Sequence, residues 1–484
     1  MVSPSNEDLL DYIQMRIEEG PLFAHNYIYK NGEKLQCRNA FFKLKNQVDN
    51  FLDGTSEERF ITLPGLRGVG KTTLLFQLYD YLINEKGIEN DNILYFTTDN
   101  LKDYLGGRIS EIINTFTSEI HDKTPVNLDE NLFILIDEAQ YDKDWSLAGK
   151  IFYDQSKKIF MIFTGSSALN FELNADAARR IKKEPIFPLD FSEYLILKHG
   201  ISPPEGISTS IKNLIFNGEV NEAYKKEIDL TKDLLKIGRP IEKEWKDYIC
   251  CGGFPYGINL EHNEIHEKTF SMLDRVIEMD VQYIKSFRTD TRSFIHRILV
   301  FLALQKPGEL SEGKLANNLG ISSALVKSIL YVLEKTHLIF HVEPYSKSAG
   351  KQVRKAWKYY FLSPSIKVSI LHQLGKYNPK SREYLGVLTE NMVASYFFTS
   401  QKTTHIPYGI FYSPESEGVD FLLSDIEGEV IPVEVGVGKK NKRQIKKSIK
   451  NYNSKYGIVI SDARTRITRE DDLIYIPITT FSFL

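Results

Sequence analysis

Gly65-Leu66-Arg67-Gly68-Val69-Gly70-Lys71-Thr72-Thr73 is the stretch on which the fold turns. It follows an apolar strand segment at 60–63 and runs into Leu74, Leu75, Leu78 and Tyr79 at helical spacing. Strand, glycine-rich loop and helix in that order match G-x-x-x-x-G-K-[ST] in the context the motif requires. Glycines let the backbone curl, so successive N–H groups can surround a phosphate with no Cβ in the way. On this reading Gly65, Arg67, Gly68, Val69, Gly70 and Thr73 line the cradle. Lys71 reaches the β- and γ-phosphates of ATP, and Thr72 holds the accompanying Mg2+. The helix N-terminus adds a favourable dipole.

Outward from the loop, strands and helices alternate between about 58 and 200. Strands are expected at 92–97, 132–136 and 158–164, helices at 71–86 and 106–120, and a last core strand at 185–189. The pattern predicts a parallel sheet with helical crossovers, with ligands at the carboxyl ends of its strands. The apolar run 132–136 delivers Asp137 and Glu138 to that edge. Asp137 can orient a water on Mg2+, and Glu138 can polarise the attacking water, which argues for hydrolysis over mere binding. The next strand ends Thr164-Gly165-Ser166-Ser167. If it is inserted between the two motif strands, Thr164 or Ser166 reaches the γ-phosphate or the water; Ser166 serves equally as a helix cap. A helix or lid at 170–180 ends in Arg179-Arg180. Arg180 could act on a neighbouring subunit's γ-phosphate, and surface arginines are the alternative.

With 484 residues the chain exceeds one ordinary core. Its 42% hydrophobic and 26% charged content excludes a disordered or fibrous chain. A net charge of −3 carries no global nucleic-acid signature, so any such contact must be local. Three cysteines, with Cys250 and Cys251 adjacent, make no disulfide framework and point to the cytoplasm. No ligand-spaced partners surround that pair, so packing beside the turn 252–255 is its expected role. The polar, acidic start and the lack of a long apolar run argue against signal peptide and membrane span.

The expected division is an N-terminal helical region (1–57), an ATPase core (58–200), a helical linker or lid (201–290), a winged helix-turn-helix (291–375) and a last α/β domain (376–484). In the first region, 39–52 has helical spacing, with Phe41 and Phe42 expected in the core. Helices at 293–305 and 309–319, a turn capped by Ser322, a helix at 324–336 and a strand at 338–342 give the helix-turn-helix order. The second of its helices would expose Ser323, Lys327 and Tyr331, a charge-poor face for reading a major groove. Packing beside the nucleotide domain stays open. Lys347, Lys351, Arg354, Lys355 and Lys358 form a wing-like basic tract suited to phosphates. Further on, a helix carries Glu390 and Asn391, and 418–423 with 429–435 make a hairpin. Glu390, Asp420 and Glu434 could converge on Mg2+ for phosphodiester hydrolysis. Lys439, Lys440, Lys442, Arg443, Lys446, Lys447 and Lys450 follow, helical from about 441. That tract can track a DNA backbone or stand as a solvated helix.

Together these segments resemble the archaeal and bacterial AAA+ ATPases that end in a PD-(D/E)xK nuclease-like domain. That family's loop commonly reads GPRRVGKTTLL, against GLRGVGKTTLL at 65–75 here. LIDEAQ at 135–140, TGSS at 164–167, Arg180 with PLDFSE at 188–193, and GGFP at 252–255 also agree. So do the G-x-L-x-E-N helix at 386–391, V-D-F at 419–421 and P-x-E-V at 432–435. The resemblance implies ATP hydrolysis by Lys71, Thr72, Asp137 and Glu138, with Arg180 acting in trans within a homo-oligomer. It also implies an AAA+ core followed by winged-helix and nuclease-like α/β domains. Three positions depart: Gly436 stands where the nuclease pattern wants lysine, Ser363 where the family often has aspartate, and Arg179 where it has glycine before Arg180. The first disfavours cleavage. The expected function is Mg-dependent ATP hydrolysis coupled to conformational change, acting on or with DNA through 439–450 and the winged helix. A nucleotide-gated protein switch with an unidentified partner and an ATP-regulated nuclease are the alternatives.

Overall fold

The computed structural model of the protein describes residues 4–165, 177–285, 287, 289–346, 356–404, 407–438 and 441–484. Ser166, Lys347, Lys351, Arg354, Lys355, Lys439 and Lys440 lie outside them. The chain divides into two units, Met1–Phe187 and Pro188–Leu484. Among the described residues no helix is long and apolar enough to cross a membrane.

The first unit opens with helix α1 (Asn6–Ile28), whose Ser5 and Asp8 form a capping box. A short hairpin, β1 (Tyr29–Lys30) and β2 (Glu33–Lys34), leads to α2 (Asn39–Leu52). Its buried face is Phe41, Leu44, Gln47, Val48 and Phe51. Phe42 falls off that stripe and is 57% exposed, against the expectation that it joins the core. The sheet then takes β3 (Phe60–Pro64), β4 (Ile93–Thr97), β5 (Leu132–Asp137), β6 (Ile159–Gly165) and β7 (Lys182–Lys183) in the order β4-β5-β6-β3-β7. Every pairing is parallel. Strands β3, β5 and β6 are buried throughout, as both faces of a parallel sheet are covered. Helices α3 (Lys71–Asn84), α4 (Ile109–Thr115) and α5 (Trp145–Gln155) lie between the strands in sequence.

The closing strand differs from the expected 185–189. Lys182–Lys183 pairs with β3, and past it only a bridge from Ile186 to Gly65 continues the ladder. Glu184 N and Ile186 N bond Thr62 O and Pro64 O, so alternate residues carry the ladder and Pro185 turns its nitrogen away from β3, toward the open edge where proline is tolerated.

The second unit begins with α6 (Phe191–His199), α7 (Ile207–Asn217), α8 (Val220–Leu234), α9 (Ile241–Cys251) and α10 (His262–Arg275). Next come α11 (Thr289–Leu304), β8 (Glu309–Leu310), α12 (Glu312–Leu319), α13 (Ser323–Lys335), β9 (Ile339–Pro344) and β10 (Trp357–Phe361). Helices α14 (Pro364–Gln373) and α15 (Arg382–Thr403) precede β11 (Gly409–Tyr412), β12 (Phe421–Ser424) and β13 (Val430–Gly436). The chain ends through α16 (Lys442–Tyr452), β14 (Gly457–Ser461), β15 (Thr468–Glu470) and β16 (Leu473–Pro477), with a short helix after it. Among the described residues the nine strands of this unit form one sheet, β15-β16-β14-β13-β12-β11-β9-β10-β8. The join is a parallel pairing of β9 with β11, Phe411 opposite Glu343 and Tyr412 opposite Pro344. The segments 291–375 and 376–484 thus share a sheet.

Side chains named by the motifs fasten this unit. Asn391 on α15 accepts from Phe361 N (3.1 Å) and donates to Phe361 O (2.7 Å), clamping the end of β10. Ser363 caps α14, its hydroxyl accepting from Ser365 N at 3.3 Å. Serine and aspartate are interchangeable in that role, which accounts for the departure there. Gly253 donates to Ser365 Oγ at 3.1 Å, and a Cβ on it would stand 2.3 Å from Ser363 Oγ. Cys250 and Cys251 end α9 in the core. Burial pushes the Cys250 thiol up to about 11 and the Cys251 thiol higher still, so both stay protonated.

Glu244 of α9 is fully buried, with Lys198 Nζ at 2.6 Å, Arg239 NH1 at 2.9 Å and Tyr194 OH at 2.8 Å. Burial opposes its charge, yet the hydrogen bonds from Lys198, His199 and Tyr194 prevail and hold it down at about 2. A depressed carboxylate pKa stabilises the fold above the unfolded value and loses that effect as pH falls through the folded one. E244A is therefore expected to cost about 3 kcal/mol at neutral pH. In urea titrations the difference from wild type should shrink between about pH 4.5 and 2; a pH-independent difference would refute the ionic role.

Candidate nucleotide-binding site

The loop leaves β3 and enters α3 at Lys71, with Gly68 (φ 80°) and Gly70 (φ 94°) in the left-handed region that favours glycine. Gly65 is required for a different reason. A Cβ there would lie 2.3 Å from Ile186 O. The Lys71 ammonium folds back onto the loop, donating to Gly65 O (2.9 Å) and Leu66 O (3.1 Å). Arg38, just before α2, donates to Val69 O (2.5 Å) and Phe187 O (2.9 Å). This buried guanidinium ties the loop to the chain on either side of it. It escaped the sequence reading because a lone arginine outside any motif carries no local signal.

Strand β6 lies between β3 and β5, so the ends of the three strands are neighbours. Thr72 Oγ1 donates to Asp137 Oδ2 at 2.6 Å, and Thr164 Oγ1 donates to Asp137 Oδ1. Burial pushes the Asp137 carboxyl up, and the Glu138 charge adds to that; the two hydroxyls and Lys71 pull the other way. Thr73 is half-buried on α3. Glu138 has φ 54° and ψ 40°, and its N–H reaches Asp137 Oδ1 (3.2 Å) and Thr164 Oγ1 (3.1 Å). Its carboxylate accepts from Gln140 Nε2 and lies 3.9 Å from Arg67 NH2, which also donates to Tyr141 OH at 3.2 Å. Lys71, Thr72, Asp137 and Glu138 thus meet at one edge of the sheet. Arg180 is elsewhere in the unit, its Nε 2.6 Å from Asp154 Oδ1 of α5.

In the second unit, Glu390 accepts from Tyr360 OH at 2.9 Å and Asp420 accepts from Val435 N at 2.7 Å. Glu434 is buried, 3% exposed. Among the described residues no three His, Cys, Asp or Glu side chains are grouped to hold a metal ion. Glu390, Asp420 and Glu434 are therefore not grouped as the cation cluster expected of them. Gly436 ends β13 with no side chain beside Glu434. On α16, Ile445, Ser448 and Ile449 are buried, while Arg443, Lys446, Lys447 and Lys450 are exposed. Lys442 pairs with Glu470 (2.8 Å) and Lys447 with Glu415 (3.8 Å). On α13, Ser323, Lys327 and Tyr331 are exposed as expected, and Ser322 caps the helix through Leu325 N.

Comparison with known proteins divides the chain in three. Residues 57–195 match an AAA domain, 242–377 the domain of unknown function DUF8612, and 385–481 the domain of unknown function DUF4143. Solved structures similar to it include the Thermotoga maritima RuvB Holliday junction branch migration motor, at 14% identity over 66% of this chain and 95% of that one (TM-score 0.28). Caenorhabditis elegans PCH-2 is similar at 15% identity over 65% and 72% (TM-score 0.25). Neither likeness is close enough to carry an argument. The Uncharacterized protein MJ1637 of Methanocaldococcus jannaschii is 34% identical over 477 residues, covering 98% of this chain and 94% of that protein. With a phosphate loop and paired acidic residues at the edge of a parallel sheet inside the AAA match, the chain belongs to the AAA-domain family of that archaeal protein.

Proposed function

We propose that the chain is a Mg-dependent ATPase whose turnover drives a conformational change on or with DNA. One observation carries the ATPase reading: Lys71, Thr72, Asp137 and Glu138 stand together where the loop meets the carboxyl ends of β3, β5 and β6. Lys71 exchanges the Gly65 and Leu66 carbonyls for the β- and γ-phosphates, and loop amides take the remaining oxygens. Thr72 Oγ1 and Asp137 Oδ2 are hard oxygen donors 2.6 Å apart, a set that fits Mg2+ held largely through its own waters. Bound there, the ion neutralises charge on the terminal phosphates. Thr164 keeps Asp137 in place from β6. Glu138 orients and polarises the attacking water.

The DNA reading is supported by the exposed basic face of α16, Arg443, Lys446, Lys447 and Lys450, and by the helix-turn-helix order of α11 to β10. We read 291–375 as a winged helix-turn-helix and 376–484 as a nuclease-like domain without cleavage. Gly436 and the hydrogen-bonded Glu390 and Asp420 favour that loss. The charge-poor face of α13 favours, as a second reading, a nucleotide-gated contact with a protein partner. For a homo-oligomer the support is local. Leu147 (46%) and Ile151 (40%) are exposed on the helix whose Asp154 holds Arg180. There Arg180 would leave Asp154 for a neighbour's γ-phosphate.

Steady-state ATP hydrolysis should fall by at least about a hundredfold in E138A. Duplex or branched DNA should raise the wild-type rate, and R180A should abolish its steepening with protein concentration. No hydrolysis in any condition refutes the ATPase reading; a wild type indifferent to every DNA redirects the search to a protein partner. On DNA, R443E, K446E and K450E should each flatten the dependence of log affinity on log salt by roughly one unit. Unchanged slopes would free α16 from any DNA role.

A further inference from the structure

We infer that a cleft in the second unit binds a small organic anion, a phosphate- or carboxylate-headed molecule with an apolar body, whatever the first unit does with ATP. The cleft encloses about 830 Å3, a volume ordinary for small-molecule sites. It opens where the parallel strands β13, β14 and β16 finish, beside Gly436, Asp462 and Pro477. Crevices outside the carboxyl ends of parallel strands are where open α/β sheets take ligands. Helices α8, α9 and α15 supply the remaining wall, and Leu230, Leu234, Ile241, Trp245 and Leu385 give it an apolar lining. Gly436 brings no side chain, so the departure that disfavours cleavage also leaves that part of the wall bare.

Protein contacts hold the walls in place. Glu227 of α8 accepts from Ile467 N at 2.8 Å and from Thr480 Oγ1 at 2.6 Å. Trp245 of α9 donates from Nε1 to Ser482 Oγ at 2.9 Å. Gly438 N donates to Asp462 Oδ1, closing the turn after β13 onto the end of β14. A pocket built in advance loses little order on binding. Its charges favour an anion. Arg239, Lys246, Arg464 and Arg466 line it, against Glu242 and Asp462. Arg239 is engaged by Glu244 and Asp247, each at 2.9 Å, and Arg464 by Glu470. Lys246 and Arg466 are exposed and form no ion pair among the described residues. The charge of Arg466 reaches Glu227, but both oxygens of that carboxylate already accept protein hydrogen bonds. Helix α9 also begins at the cleft, with no side chain capping its first amides, and that end of a helix favours negative charge. Lys246 and Arg466 can therefore turn to an oxyanion while the body of the ligand displaces water from the apolar wall.

The probe is anilinonaphthalene sulfonate, an apolar body with one anionic head, titrated by fluorescence into the full-length protein beside its uncharged analogue phenylnaphthylamine. The sulfonate should bind at one site per chain and more tightly than the amine. K246E and R466E should each weaken it about threefold to tenfold and leave the amine unchanged. T231W, at an exposed position of α8 in the cleft wall, should exclude both dyes by filling the space. Melting midpoints at the wild-type value check that the variants fold. A sulfonate affinity that no variant moves, or equal losses for the charged and uncharged dyes in K246E and R466E, overturns the inference. A short single-stranded DNA that displaces the sulfonate better than AMP at matched phosphate concentration would make the cleft part of a nucleic-acid track and overturn the small-molecule assignment. None of these readouts involves ATP hydrolysis, so failure here leaves the ATPase reading standing.

Discussion

The buried carboxylate of Asp137 is the constraint on which the first unit depends. It accepts hydroxyls from Thr72, at the start of α3, and from Thr164, at the end of β6. Each belongs to a different segment, and they meet only if β6 lies between β3 and β5. A carboxylate out of water is costly unless donors compensate it. These donors come from the helix after the loop and from the neighbouring strand, so packing the sheet and building the candidate site are one event. Burial still leaves Asp137 with a raised pKa.

How much of this was legible in the sequence follows how local each feature is. The phosphate loop and the Asp137–Glu138 strand end depend on near neighbours, and their places at the sheet edge are legible from them. The insertion of β6 was foreseen as a condition, because parallel order is limited by crossover geometry. The edge strand was misplaced by a few residues because the residues that pair, Lys182 and Lys183, are charged, while apolarity marks 185–189. Phe42 looked like core because two adjacent phenylalanines cannot both face one stripe of a helix, and nothing local chooses between them. Arg38 and the pairing of Arg67 with Glu138 were invisible, being contacts between distant side chains. In the second unit the elements were found but not their union. The β9–β11 ladder is a parallel pairing between strands separated by two helices, and no local pattern encodes it.

That union has mechanical consequences within the second unit. Asn391 reaches from α15 to both backbone groups of Phe361, and Ser395 on the same helix donates to Leu362 O. Lys367 on α14 donates to Leu302 O (3.2 Å) and Gln305 O (2.8 Å) at the end of α11, placing a cation on that helix terminus. Burial lowers it to about 8, so it is still mostly charged at neutral pH. The segment from α11 to β10 cannot move far from the last α/β segment without breaking a sheet ladder and leaving these groups unsatisfied in the interior. Whatever α13 or α16 contacts, the two would carry it together.

Glu138 shows where function has overridden stability. A left-handed backbone costs a residue with a Cβ roughly 1 kcal/mol, which glycine would avoid. The conformation persists because its N–H is held by Asp137 and Thr164, the groups that define the edge of the site. Strain kept in place by the binding groups themselves is a mark of use, with the inference running from the observed outlier to the role. Had packing alone shaped this turn, glycine or asparagine would serve it better. A carboxylate there is worth its strain only if it meets a ligand at the loop.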